Sequence, residues 1–203
     1  MYDISMLITP DIQVYKNKDS KRPKYQNMSN FDTGVSYETR VSLDVHTGTH
    51  IDRPLHMIDK GATINSLDIS RLICKAKVFD MTKIENRYIG LADIQNLDIE
   101  AGDFVIFKTI NSNTENFDFE FVYLNKEAAK YLVDKKINGV GIDALGIERA
   151  QADHLTHIQL LEADIIILEG CRLKDVPAGE YELIALPIKL DQTEGAWVRA
   201  VLR

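Results

Sequence analysis

Residues Ile165-Ile166-Ile167-Leu168 form an unbroken apolar run that ends at Glu169. A short continuous run of this kind fits a strand covered on both faces, not one with a wet side. The chain therefore has to place other elements over both faces of a sheet. Further strands are expected over 4–9, 76–80, 104–109, 138–143, 181–186 and 197–202. Residues 37–45 alternate, with Tyr37, Thr39, Val41, Leu43 and Val45 on one side, as in a half-buried strand. Helical spacing appears over 91–97, 125–136 and 150–163. Asn125 is placed to cap the second helix, and Leu155, Ile158 and Leu161 stripe the third. Residues 15–30 are polar and lysine-rich and read as a long loop. Strands mixed with a few helices predict an α/β fold with a mixed central sheet.

The length of 203 residues is that of one domain, 1–203, able to bury a core without staples. A net charge of -7 argues against a nucleic-acid partner. No run approaches the roughly 18 apolar residues of a membrane span. The start Met1-Tyr2-Asp3-Ile4-Ser5 lacks the pattern of a signal peptide, and Cys74 and Cys171 make no disulfide framework. The expected location is the cytoplasm.

Chemistry concentrates in His46-Thr47-Gly48-Thr49-His50-Ile51-Asp52-Arg53-Pro54-Leu55-His56, which holds three of the five histidines. Imidazole nitrogen and carboxylate oxygen suit zinc first and manganese second. On an extended segment His50 and Asp52 share a face, and Gly48 lets the chain bring His46 back toward them. The ordinary alternative is a polar loop of hydrogen-bonding histidines. A second group contains His154, His157, Glu162 and Glu169. Spacing alone leaves His154 and His157 as equal candidates. Together the two groups have enough donors for one or two zinc ions, with His56 left over as a base, an acid or a further ligand. Asp143 is a candidate supporting group. The chain has no Gly-x-Ser-x-Gly elbow, P-loop or complete Gly-x-Gly-x-x-Gly turn.

His46, Gly48, Thr49, His50, Asp52, Pro54 and His56 match His-x-Gly-Thr-His-x-Asp-x-Pro-x-His. In this the chain resembles the cyclase family of metal-dependent hydrolases, which includes bacterial kynurenine formamidases and isatin hydrolase. Gly139-Val140-Gly141-Ile142-Asp143 and Tyr181-Glu182-Leu183-Ile184-Ala185-Leu186-Pro187 extend the resemblance. It implies a swivelling β/β/α domain, commonly an oligomer such as a dimer or tetramer. It implies metal ligands at His46, His50, Asp52, His157 and Glu169, and a catalytic proton shuttle at His56. His157 is preferred to His154 because it precedes Leu160-Leu161. Tyr15 stands where the formamidases carry a substrate-packing tryptophan, and Lys16-Asn17-Lys18 follows where Pro-Gly is frequent.

These readings predict a hydrolase that opens an amide-type C–N bond in a small molecule. N-formylkynurenine is the leading named substrate, and a cyclic amide, imide or lactone is the alternative. A binding protein that keeps metal without turnover is the alternative of another class.

Overall fold

The computed structural model describes residues 1–203. Its strands in chain order are β1 (Tyr2–Asp3), β2 (Lys24–Ser29), β3 (Glu38–Ser42), β4 (His50–Asp52), β5 (Ile73–Asp80), β6 (Tyr88–Ile89), β7 (Phe104–Lys108), β8 (Tyr123–Leu124), β9 (Gly139–Ile142), β10 (Ile166–Glu169), β11 (Gly179–Ile184), β12 (Gly195–Trp197) and β13 (Val201–Leu202). The α-helices are α1 (Leu91–Ile94), α2 (Lys126–Lys135) and α3 (Leu155–Glu162). Nine strands form one sheet in the order β1-β13-β11-β5-β7-β9-β10-β4-β12. β5, β7, β9 and β10 are parallel. The outer pairings are antiparallel, so the sheet is mixed, as the pattern predicts.

Both faces of the central strands are buried. In β7, Val105 and Phe107 pack with Val140, Ile142 and Ile167 beneath α2 and α3. Phe104 and Ile106 pack on the other face with Ile166 and Leu168. That second core also holds Ile51, Ala196, Leu183 and Leu202, from strands near opposite ends of the sheet. The sheet therefore curls around it. Each fully buried Phe or Leu contributes about 1.5–3 kcal/mol. An exposed pair such as Lys130–Asp134 contributes only about 0.3–0.5 kcal/mol. The two cores, not the surface ion pairs, hold the fold.

The local readings hold where a local cause exists. Asn125 caps α2 by accepting from the Ala128 N–H at 2.9 Å. They fail where the tertiary environment decides. Residues 4–9 are not a strand: the Met6 N–H donates to Thr49 Oγ1 at 2.7 Å instead of to a ladder. The expected long loop contains β2, and β2 pairs with β3 in a separate ribbon. All of β3 is exposed, so the half-buried strand over 37–45 is corrected to a shorter one with no core beneath it. The 197–202 strand is divided between β12 and β13.

The third helix starts at Leu155 because Ala150 and His154 have left-handed backbone, φ 46 and 49. Its buried face is Thr156, His157, Leu160 and Leu161, not the predicted Leu155/Ile158/Leu161 stripe. That rotation turns His157 inward.

Candidate metal centre

The site is built on register. β4 lies between β10 and β12, with His50 opposite Glu169 and Asp52 opposite Ile167. Side chains two apart on a strand share a face, as do directly opposed cross-strand partners. His50, Asp52 and Glu169 therefore meet although 117 residues separate Asp52 from Glu169. The Thr49 hydroxyl fastens the loop before β4 by donating to the Gly170 carbonyl at 2.7 Å. Gly170 has φ +68, and a Cβ there would lie 2.3 Å from the Gly48 carbonyl oxygen. Only glycine fits this crossing.

His50 Nδ1 donates to the Gly48 carbonyl at 2.9 Å, which leaves Nε2 facing inward. That nitrogen is 3.4 Å from both Asp52 Oδ1 and Glu169 Oε2. His46 Nδ1 is 2.9 Å from Asp52 Oδ1. His157 Nε2 is 3.3 Å from Glu169 Oε1 and 3.7 Å from Asp52 Oδ2. One ligand atom each from His50, Asp52 and Glu169, and likewise from His46, Asp52 and His56, lies within 4.8 Å of the others. Asp52 belongs to both groups.

The electrostatics fit a cation. Burial opposes charge on His50, yet Asp52 and Glu169 push its pKa up to about 10. Burial and Asp52 oppose ionisation of Glu169, yet His157 and His50 bring it down to about 2. Burial likewise opposes the charge on Asp52, but His157, His46 and His50 hold its pKa well below the usual carboxylate range. His50 Nε2 and Asp52 Oδ2 are buried with no hydrogen-bond partner. Such orphaned atoms call for an explanation, and a divalent ion among these donors supplies one. Burial lowers the pKa of His56, so this imidazole favours its neutral form.

Beside the cluster lies a cavity of about 350 Å³ lined by Tyr15, His46, His56, His157 and Glu169 among others. The seven residues that the resemblance implied, His46, His50, Asp52, His56, His157, Glu169 and Tyr15, thus sit in or against one centre. Tyr15 is half-buried, its ring edge-on to Phe117 at 5.5 Å. His154 also lines the cavity, but its Nδ1 engages Glu148 and not the metal cluster. Asp143 accepts from Thr109 Oγ1 at 2.6 Å and Ser112 Oγ at 2.7 Å. It ties a loop to the end of β9 instead of supporting a ligand.

Glu148 is the residue the sequence did not reveal. It is buried, with Oε1 3.3 Å from His157 Nδ1 and Oε2 accepting the His157 N–H at 3.2 Å. A carboxylate behind a ligating imidazole fixes ring orientation and tautomer. No spacing rule links the two residues, because the left-handed turns at Ala150 and His154 create the contact. Glu148→Gln is expected to weaken metal binding about 10–100-fold. Competition against a chromogenic chelator checks this, and unchanged affinity would show that Glu148 only packs.

A curled mixed sheet that presents buried imidazoles and carboxylates to an open cavity defines a metal-site protein of the α/β class. The Cyclase family model matches residues 2–149, and the chain belongs to the cyclase family. It is 30% identical over 203 residues to a kynurenine formamidase of Bacillus cereus, covering 99% of this chain and 96% of that protein. A Bacillus stearothermophilus structure described as a predicted metal-dependent hydrolase is 50% identical, with TM-score 0.91 over 99% of this chain and 96% of that one. Isatin hydrolase A from Labrenzia aggregata superposes with TM-score 0.86 over 99% of this chain and 92% of its own, at 20% identity, which speaks to fold alone. No helix is long and apolar enough to cross a membrane.

Proposed function

We propose that the chain is a metal-dependent hydrolase of an amide-type C–N bond in a small molecule, with an arylformamide as the first substrate class to test. The observation that carries this is the buried His50–Asp52–Glu169–His157 cluster, with unpartnered donor atoms, opening beside His56 onto a cavity. His46, His50, Asp52, His157 and Glu169 would hold one or two ions, zinc before manganese. A bound ion supplies Lewis acidity and makes water reactive near neutral pH. His56 takes a proton at a ring nitrogen as water attacks and returns it to the departing nitrogen. Tyr15 provides an aromatic wall for the substrate body. The kynurenine formamidase relative supports a formamide over a cyclic amide. The test is metal-replete protein against a panel of formanilides, lactams and lactones, with metal counted by mass spectrometry. Stoichiometric metal with no turnover on any member would overturn the hydrolase and favour a binding protein.

The chain is also proposed to form a homo-oligomer through the β2–β3 ribbon. Met28, Phe31, Val35 and Tyr37 are exposed there, and a lone two-stranded ribbon is marginal in water. A second copy is the occupant, because Lys24 and Arg40 balance Asp32 and Glu38 within a chain of net charge -7. Two ribbons thus meet without added repulsion. Light scattering should give a dimer or tetramer, and Phe31→Glu with Tyr37→Glu should shift it toward monomer. A wild-type monomer at micromolar concentration would refute this assembly.

A further inference from the structure

We infer that Tyr15 is a catalytic residue whose hydroxyl donates a hydrogen bond to the substrate's amide oxygen as that oxygen gains negative charge; this rests on the amide-hydrolase reading above. The chain anchors Tyr15 on both sides. Val14 before it is buried with Met6 and Ile12. The Asn17 N–H donates to the Val14 carbonyl at 2.9 Å, and the Arg22 guanidinium donates to the Ile12 carbonyl at 3.0 Å. The ring is edge-on to Phe117. It also lies against Gly146, where a Cβ would stand 3.6 Å from Tyr15 Cε2. Cε2 is bonded to the carbon that carries the hydroxyl, so the phenol end of the ring is the end at this segment. The Ala150 N–H faces the phenol oxygen. Between these two contacts the Ile147 N–H donates to Glu169 Oε1 at 2.5 Å, and Glu148 engages His157. The segment that receives the Tyr15 hydroxyl therefore also wraps the metal cluster. The cavity that Tyr15 lines is the one that His56, His157 and Glu169 line.

The hydroxyl proton is uncommitted. Tyr25, Tyr131 and Tyr181 donate theirs to backbone carbonyls at 2.8, 3.2 and 2.9 Å, whereas Tyr15 donates to no group of the protein. A phenol oxygen can accept from Ala150 and still aim its own proton into the cavity. Burial and then Glu169 raise the Tyr15 pKa, with Glu148 acting the same way and His157 opposed. The phenol therefore keeps its proton near neutral pH and acts as a hydrogen-bond donor only. As water adds to the amide carbon, the C=O π pair moves onto oxygen. A donor aimed at that oxygen is worth most in the transition state, where the charge is greatest. The proton that leaves with the nitrogen still comes from His56.

The test is formanilide hydrolysis by metal-replete enzyme. Tyr15→Phe keeps the ring and its contact with Phe117. It is expected to lose about 10²–10³ in kcat with KM within about twofold of wild type. Metal content, Tm and the acidic limb of the pH profile should stay as in wild type. Tyr15→Leu, which also removes the ring, should add a rise in KM. Tyr131→Phe removes a hydroxyl outside the cavity and should change nothing. An aryl phosphonamidate mimics the charged tetrahedral adduct and reads the same contact without turnover. By calorimetry its affinity should fall about 10²-fold in Tyr15→Phe, while that of the aniline product is unchanged. If Tyr15→Phe keeps both kcat and phosphonamidate affinity, the inference is overturned while amide hydrolysis stands. A loss confined to KM, or one matched by lost metal or lost Tm, overturns it equally and leaves Tyr15 as a wall. If wild type hydrolyses no formanilide, the hydrolase reading falls, and the phosphonamidate comparison alone decides whether the Tyr15 hydroxyl binds a charged oxygen.

Discussion

Asp52→Asn is expected to leave the purified chain without stoichiometric metal and to lower turnover at least about a thousandfold. Asp52 is the shared member of both ligand groups, and its side chain is fully buried beside His46, His50 and His157. An amide keeps the shape but replaces an anionic oxygen with a neutral one. Loss of Lewis acidity is worth several kcal/mol, and about 1.4 kcal/mol is tenfold in rate. Elemental analysis beside steady-state rates checks this, with circular dichroism to show that the variant folds. Full metal content with normal turnover would sink the proposed ligand set.

The same cluster sets a pH signature for metal removal. In metal-free protein the His50 pKa is raised from an unfolded value near 6.5 to about 10. Its contribution is therefore complete below about pH 6.5 and is lost as pH rises toward 10. Glu169, lowered to about 2, contributes above its unfolded value and loses that contribution as pH falls through 2. Ligands must shed protons to bind an ion, so the loaded form gains as pH rises. The Tm lost to a chelator should grow between pH 6 and 9. With metal at a thousandfold its Kd the linkage is about 4 kcal/mol, or on the order of 10 °C for a chain this size. A chelator effect that is flat across that range would contradict this linkage.

His56→Ala is expected to keep its metal and lose about 10²–10⁴ in kcat, the usual contribution of a positioned acid–base group. His46 and His56 both lie outside the tight His50–Asp52–Glu169 group, and the His56 ring is 4.2 Å from His46 and 5.6 Å from His157, centroid to centroid. Burial, opposed by Asp52, lowers its pKa. The acidic limb of the wild-type kcat/KM profile should therefore lie below about 6.5 and vanish in the variant. Parallel loss of metal would make His56 a ligand instead, and full activity would remove it from the chemistry.

Legibility followed the range of the cause. β10 is close to expectation because its unbroken apolar run suits a doubly covered strand, and β7 and β9 fall within the expected 104–109 and 138–143. α2 is close because Asn125 supplies its own cap. The β2–β3 ribbon departs from expectation because 37–45 alternates although no core lies beneath it, and the polar 24–29 has no apolar face to mark a strand. The face and start of α3 were misread because two left-handed residues, Ala150 and His154, redirect the chain in a way composition does not announce. Glu148 was missed for the same reason.

The order of residues by itself determined the donor chemistry: three histidines and an aspartate in one short motif, and a glutamate closing an apolar strand. Side-chain type and local spacing are properties of the covalent chain. Only the tertiary structure decided that β4 would lie antiparallel to β10 with His50 opposite Glu169, and that α3 would turn His157 rather than Leu155 inward. Those outcomes come from burying both faces of a curled sheet at once, a condition that no single segment contains.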